Sequence, residues 1–367
     1  MRFASSITHD RLTVFSSYMI HANFLVSTNS RQLYGVSFVL HHLIHRSSSP
    51  SNRDFKLTTV TVTGGAGFIG SHLVNALINE GHRVSIIDSL TDYYSPDIKL
   101  ANLASIDSLD QATLSTQDLA ESNPQAVFAG SEVVFHLAGR PGVRASFSDF
   151  GNYVHDNLTA TARVIEGCLA AGVKRLVIAS SSSVYGTAPV PFHESTPPSP
   201  ISPYGRTKLL SEQMALSAVD SGLEVMALRY FTVFGPRQRP DMAINRIIRA
   251  AIEGSEFRIF GDGTQTRDFT FVSDIVHATI TAGLKTAYSG VCNIGGETEI
   301  SLNGVLDLVE THTGRKIRRR YVEAEMGDPK DTRADLKRAQ SVLEYRPVVD
   351  FESGLKSEID WMVKQNG

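Results

Sequence analysis

The chain has 367 residues, 42% of them apolar and 20% charged, which excludes a wholly disordered, collagen-like or coiled-coil protein. Thirty-five Lys and Arg against 38 Asp and Glu leave a net charge of −3 with no long basic stripe, so a general nucleic-acid binder is excluded as well. Two cysteines, Cys168 and Cys292, make no disulfide framework, no Cys/His cluster has the spacing of a metal site, and no apolar run reaches the ~18 residues that cross a bilayer. The expectation is a chain of a reducing, cytoplasmic compartment, without metal or membrane span.

Residues 1–56 differ from the rest, with eleven serines, six Lys or Arg and only two acids, Asp10 and Asp54. A basic, Ser-rich, acid-poor leader fits a transit peptide; His21, His41, His42 and His45, untypical of one, favour instead a disordered extension or sequence read from an early start codon. Neither reading gives it chemistry.

From residue 57 onward, short β-rich runs alternate with helical patterns. Residues 58–63, 83–88, 132–137, 175–180 and 224–230 read as strands; 69–80, 153–171 and 203–220 read as helices. Continuously apolar strands, each followed by a helix, predict an α/β fold: a doubly wound parallel (Rossmann) sheet covered on both faces, with ligands at the carboxyl ends of its strands. The alternation loosens after about residue 236, where helices are predicted at 302–313 and 335–343. The division that follows is a dinucleotide-binding domain over 57–235, with 269–296 returning to it, and a smaller substrate-binding α/β part over most of 236–367.

The first strand runs into Gly64-Gly65-Ala66-Gly67-Phe68-Ile69-Gly70 and then a helix. Here Gly64 permits a tight turn, Gly67 admits a pyrophosphate to the backbone, and Gly70 lets helix and strand pack closely. The anion then meets the free N–H groups of a helix N-terminus. Asp88 closes the next strand, where an acid accepts from a ribose 2′-hydroxyl and repels a 2′-phosphate, favouring NAD over NADP.

Tyr204 and Lys208 form a Y-x-x-x-K pair after Pro203, one turn apart on a helical face. A lysine ammonium beside a tyrosine favours the phenolate and makes a general base. With eleven tyrosines in the chain the pair alone proves little; its weight comes from the order of glycine turn, Ser180 to Ser183 at a strand end, and Tyr/Lys.

Together these residues resemble the extended short-chain dehydrogenase/reductase superfamily, in its NAD-dependent epimerase/dehydratase branch, over the whole of 57–367. The resemblance implies Ser181, Tyr204 and Lys208 as the catalytic set. It implies a cofactor site from Gly64, Gly67, Phe68, Ile69, Gly70, Asp88, Asp118, Leu119, Leu137, Ala138, Gly139 and Asn157, shared with Tyr204 and Lys208. Dehydratases of this branch carry Asp-Glu just after the catalytic Thr, where this chain has Ser182-Ser183. Asp92-Tyr93-Tyr94-Ser95-Pro96, Gly142-Val143-Arg144 and the run from Arg229 to Pro240 are similar to UDP-glucuronate 4-epimerases.

That likeness implies a C4 oxidation to a 4-keto sugar, its rotation, and reduction on the other face, converting UDP-glucuronate to UDP-galacturonate. Ser182, Ser183, Thr232 and Arg239 would hold the sugar carboxylate, with Phe231 beside them. Arg144 belongs to the implied substrate-binding set, Phe260 and Arg267 would serve the uridine diphosphate, and a homodimer through a helical face is implied. Glu325 stands where many relatives place a second diphosphate-binding arginine. The alternatives are a UDP-glucose/UDP-galactose 4-epimerase, another sugar-nucleotide oxidoreductase, or a non-catalytic NAD-binding regulator.

Overall fold

The computed structural model describes residues 57–323 and 329–366. The leader, Glu325, Gly327 and Asp328 lie outside them. Among the described residues no helix is long and apolar enough to cross a membrane.

Six strands follow one another as β1 (Thr59–Thr63), β2 (Arg83–Ile87), β3 (Ala112–Ser115), β4 (Val133–His136), β5 (Arg175–Ser181) and β6 (Glu224–Tyr230). The chain then makes the short strands β7 (Thr232–Phe234), β8 (Glu256–Phe260), β9 (Thr266–Arg267) and β10 (Phe269–Phe271) before β11 (Gly290–Ile294) joins the edge of the main sheet. The order is β11-β6-β5-β4-β1-β2-β3, with every pairing parallel. Strand order reverses between β1 and β4, so a crevice opens there at the carboxyl ends.

Alternation along the strands sends side chains to two cores. Val60, Val62, Phe135, Val177 and Met226 pack beneath helices α1 (Phe68–Asn79) and, further along the chain, Val272–Leu284. Val134, Leu176, Ile178, Val225 and Ala227 pack on the opposite face. The chain supplies that cover from α2 (Ala160–Ala171) and α3 (Pro203–Ser217). Burial on both faces explains why these strands read as continuous apolar runs rather than alternating ones.

A separate apolar cluster organises the later part, where α4 (Ala243–Glu253) contributes Ile244, Ile247 and Ile248. Val305, Leu306 and Val309 of Leu302–Thr313 and Leu355, Ile359 and Met362 of the last helix, Phe351–Asn366, close around it. Phe234 packs edge-on against Phe269 and Phe271 and tilted against Phe351, which locks β7 to β10. These two strands pair parallel and carry Thr232 to the cleft.

Asp268, fully buried between β9 and β10, joins three distant segments. Its carboxylate accepts from the backbone N–H of Gly296 at 2.7 Å and of Ala334 at 2.9 Å, and its own carbonyl accepts from Thr232 N at 3.0 Å. Asp268→Ala leaves two buried donors without an acceptor. It should cost about 2–4 kcal/mol of stability, read as a lower guanidinium midpoint at unchanged slope.

Candidate active site

The crevice over the sheet is a cleft of about 380 Å³. Its cofactor end is built from backbone. Gly64 has φ +70°, and a Cβ there would lie 2.7 Å from Ala138 N, so only glycine fits between β1 and the β4 loop. Gly70, in the first turn of α1, sits so tightly on that turn that a Cβ would fall 2.1 Å from Gly64 O. The free N–H groups of α1 therefore face the cleft with nothing between them and an anion. Asp88 at the end of β2 braces the turn by accepting from Ala66 N at 3.1 Å, and accepts from Leu90 N at 2.9 Å.

One feature of this end, Lys99, carries no sequence signal. Lys99, buried on the helix Pro96–Ala104, reaches Asp88 at 3.4 Å and Thr91 at 3.2 Å, and lies 5.4 Å from the Tyr94 ring centre. Tyr93 and Tyr94 line the cleft beside it. On the other wall are Asp118, Leu119, Leu137, Ala138 and Gly139. Asn157 does not line the cleft. It sits behind it, accepting from Arg140 N at 2.7 Å and donating to Thr207 at 2.9 Å, which fixes the β4 loop to α3. Its place in a π-helical stretch, Val154–Thr159, turns it toward that loop.

The catalytic end is set by β5 and α3. Ser181 ends β5 in extended geometry and accepts from Ser183 N at 3.1 Å, bending Ser182–Tyr185 into a short 3-10 turn. Ser202 caps α3 by accepting from Gly205 N at 3.0 Å, with Pro203 in its first turn. That start brings Tyr204 and Lys208 to the cleft, and Ser181 hydrogen-bonds the Tyr204 phenol. Burial raises Tyr204 above its ordinary pKa, while the Ser181 hydrogen bond and the Arg239 charge pull it back.

Arg239 is thus a cation acting on the phenol that the i, i+4 spacing did not reveal. Lys208 lines the cleft with Tyr204, its Nζ under the Gly139 loop, 3.9 Å from where a Cβ of Gly139 would stand. Burial pushes Lys208 down to about 8, against the pull of Glu212. His136, bonded to Thr63 and Thr161, is held neutral, lowered to about 3 by burial and by Lys208.

Ser182, Ser183, Phe231, Thr232 and Arg239 also line the cleft. Arg239 presents its Nε and Nη2 donors to Asp241, both at 3.0 Å, a two-pronged pair that leaves the Nη1 end of the fork for the cleft. The loop carrying it is fastened along its length. Gly235 N donates to Glu358 at 2.7 Å, Arg237 donates to Ser71 on α1 at 3.2 Å, and His72 donates to Pro236 O at 2.8 Å. Arg237 is therefore a strut rather than a ligand-facing group.

Three sequence-marked residues lie apart from the cleft wall. Arg144 stacks over Phe260, 4.0 Å from the ring centre, and Arg267 donates to the carbonyls of Thr266 and Lys330. Among the described residues no cluster of His, Cys, Asp or Glu could hold a metal.

The family model for the NAD dependent epimerase/dehydratase family matches residues 60–295. The chain belongs to that family. A UDP-glucuronate 4-epimerase of Thermodesulfobacterium geofontis is 38% identical over 306 residues, 82% of this chain and 94% of its own length. An uncharacterized UDP-glucose epimerase of Bacillus subtilis, YtcB, is 38% identical over 307 residues, 83% of this chain and 97% of its own. Among solved structures, the UDP-glucuronic acid 4-epimerase of Bacillus cereus in complex with UDP-glucuronic acid and NAD superposes with a TM-score of 0.81 at 37% identity, covering 84% of this chain and 99% of that one.

The cradle fits the dinucleotide of the family name: a helix N-terminus for the pyrophosphate, a turn with no room for side chains, and Asp88 for a ribose. Lys208 carries its charge below about pH 8 and loses it above. A family member that needs this ammonium should hold its rate at neutral pH and lose it as pH rises through about 8, which a pH–rate profile reads directly.

Proposed function

We propose that the protein is an NAD-dependent UDP-sugar 4-epimerase that interconverts UDP-glucuronate and UDP-galacturonate. The observation that carries this reading is that Arg239, Ser182, Ser183 and Thr232 line the same cleft as Tyr204. A guanidinium end and three hydroxyls form a carboxylate receptor, and an arginine fork is the side chain best shaped for one.

NAD, held by Gly64, Gly67, Phe68, Ile69, Gly70, Asp88, Asp118, Leu119, Leu137, Ala138 and Gly139, supplies reversible hydride acceptance at C4 of the sugar. The chain's own residues do the rest. Tyr204, as phenolate, takes the proton of the C4 hydroxyl and later returns it. Ser181, already bonded to that phenol, holds the same oxygen and passes the proton. Lys208 holds the nicotinamide ribose and supports the negative charge. Asn157 keeps the Gly139 loop above Lys208. The carboxylate receptor orients the acid sugar and releases it when the 4-keto ring turns over. Phe260 and Arg267, beyond the cleft wall, are assigned to the uridine diphosphate by the family resemblance, with Arg144 stacked on Phe260; the diphosphate stays anchored meanwhile.

A second reading has a specific observation in its favour. Asp241 already neutralises Arg239, as a site for an uncharged sugar would require, so UDP-glucose is the alternative substrate. A homodimer belongs to the same proposal, supported by Leu169 and Leu210, exposed on α2 and α3. So does a cytoplasmic location, supported by two buried, unpaired cysteines.

Purified protein incubated with UDP-glucuronate, without added NAD, should yield UDP-galacturonate by NMR and leave UDP-glucose unchanged. Turnover of UDP-glucose instead keeps the chemistry and removes the carboxylate receptor; turnover of neither, even with NAD supplied, overturns the proposal. Tyr204→Phe should lower turnover by ~10²–10⁴ while UDP-glucuronate still binds.

A further inference from the structure

Behind the catalytic pair lies a buried charge network that the reaction as described does not use. Glu212 stands one turn beyond Lys208 on α3, so Tyr204, Lys208 and Glu212 form one stripe at successive turns. Its carboxylate is 2% exposed and accepts three hydrogen bonds: from Ser180 Oγ at 2.7 Å, Arg229 Nε at 3.0 Å and Arg229 Nη2 at 2.6 Å. Ser180 precedes Ser181 on β5 and lines the cleft. Arg229, 3% exposed on β6, stacks 4.7 Å from the Tyr185 ring centre, and the Tyr185 hydroxyl donates to Asn293 at 2.6 Å. Arg229 Nη1 is buried with no hydrogen-bond partner. Burying this pair is costly, and a plain packing role would be met as well by apolar side chains.

We propose that Glu212 is a positioning residue of the reaction, acting through Lys208 and Ser180: it supplies the fixed negative charge behind the Lys208 ammonium and aligns the strand end that carries Ser181. The inference rests on the epimerase reading for its kinetic consequence only. Of the other ionisable groups near Lys208, His136 on β4 is neutral, Tyr204 is the phenol served, and Arg140 at the cleft wall is held by both Asp156 at 2.8 Å and Asp149 at 3.2 Å. Arg239 acts on Tyr204 from across the cleft, and Arg229 is screened from Lys208 by Glu212 itself. Glu212 is thus the anion whose charge reaches Lys208, and it opposes the effect of burial there.

The test compares Glu212→Gln with Glu212→Asp as full-length, NAD-loaded proteins. In Glu212→Gln the alkaline limb of the pH–rate profile should move down by about one unit, a tenfold change in the proton equilibrium of Lys208. Glu212→Asp, which keeps the charge, should restore the limb to its wild-type position. A parallel readout needs no turnover. The Lys208 ammonium, followed by NMR of its ε-carbon as the difference from Lys208→Met, should titrate about one unit lower in Glu212→Gln. Should Glu212→Gln fail to fold with Arg229 uncompensated, Glu212→Gln/Arg229→Met removes both charges and should still move the limb down, by less. Variants that lose stability and rate equally at every pH, with limb and Lys208 titration unmoved, overturn the inference. A protein that turns over no UDP-sugar but shows the Lys208 shift between wild type and Glu212→Gln sinks the epimerase reading and leaves Glu212 in its role.

Discussion

Everything in the cofactor half hangs on one close approach, that of the first turn of α1 to the turn that precedes it. With a Cβ at Gly70 only 2.1 Å from Gly64 O, helix and strand cannot sit together unless position 70 has no side chain. Granted that contact, the N-terminus of α1 points over the carboxyl end of β1 and Ala66 N reaches Asp88. The β4 loop can then close to within a backbone's thickness of Gly64. Recognition here is a matter of main-chain shape and dipole, which leaves side chains free to differentiate the sugar end.

The catalytic half is organised on an opposite plan, around charge taken out of water. Helix α3 buries Thr207, Lys208, Ser211 and Glu212 against a sheet whose neighbouring residues are apolar. Thr207 pairs with the Asn157 amide, Ser211 with the Asn157 carbonyl, and Glu212 with both Ser180 and Arg229. Such a layer is stable only when nearly every member is satisfied. It is therefore rigid, and rigidity is what a proton relay through Ser181 and Tyr204 requires.

The main sheet was legible because its strands are buried on both faces and read as unbroken apolar runs. Strand β3 was not: Ala112–Ser115 lies at the sheet edge with its middle residues exposed, and its sequence carries no run. Helix α4 has Ile244, Ile247 and Ile248 at helical spacing, yet the prolines and glycines around it dominate the local pattern. At the site, the residues tied to a turn or a helical period could be read, as Gly64, Gly70, Tyr204 and Lys208 show. Lys99 could not, since its relation to Asp88 exists only after α1 and β2 have folded beside it. Nor could the pairing of Arg239 with Asp241, for a two-residue separation in a loop implies no geometry. The same limit explains Arg237, which sits two residues from Arg239 in sequence but turns the other way, at φ +66°.

That turn of Arg237, with the His72 contact to Pro236, makes α1 a shared beam. One end of the helix faces the pyrophosphate; its flank carries the loop that reaches the sugar. Whatever steadies the helix steadies the loop, and the coupling is reciprocal by thermodynamic necessity. A resident dinucleotide is then more than a reagent held between turnovers: it is part of the scaffold against which each incoming sugar nucleotide is measured. Exchange of substrate and retention of cofactor become two faces of a single mechanical arrangement.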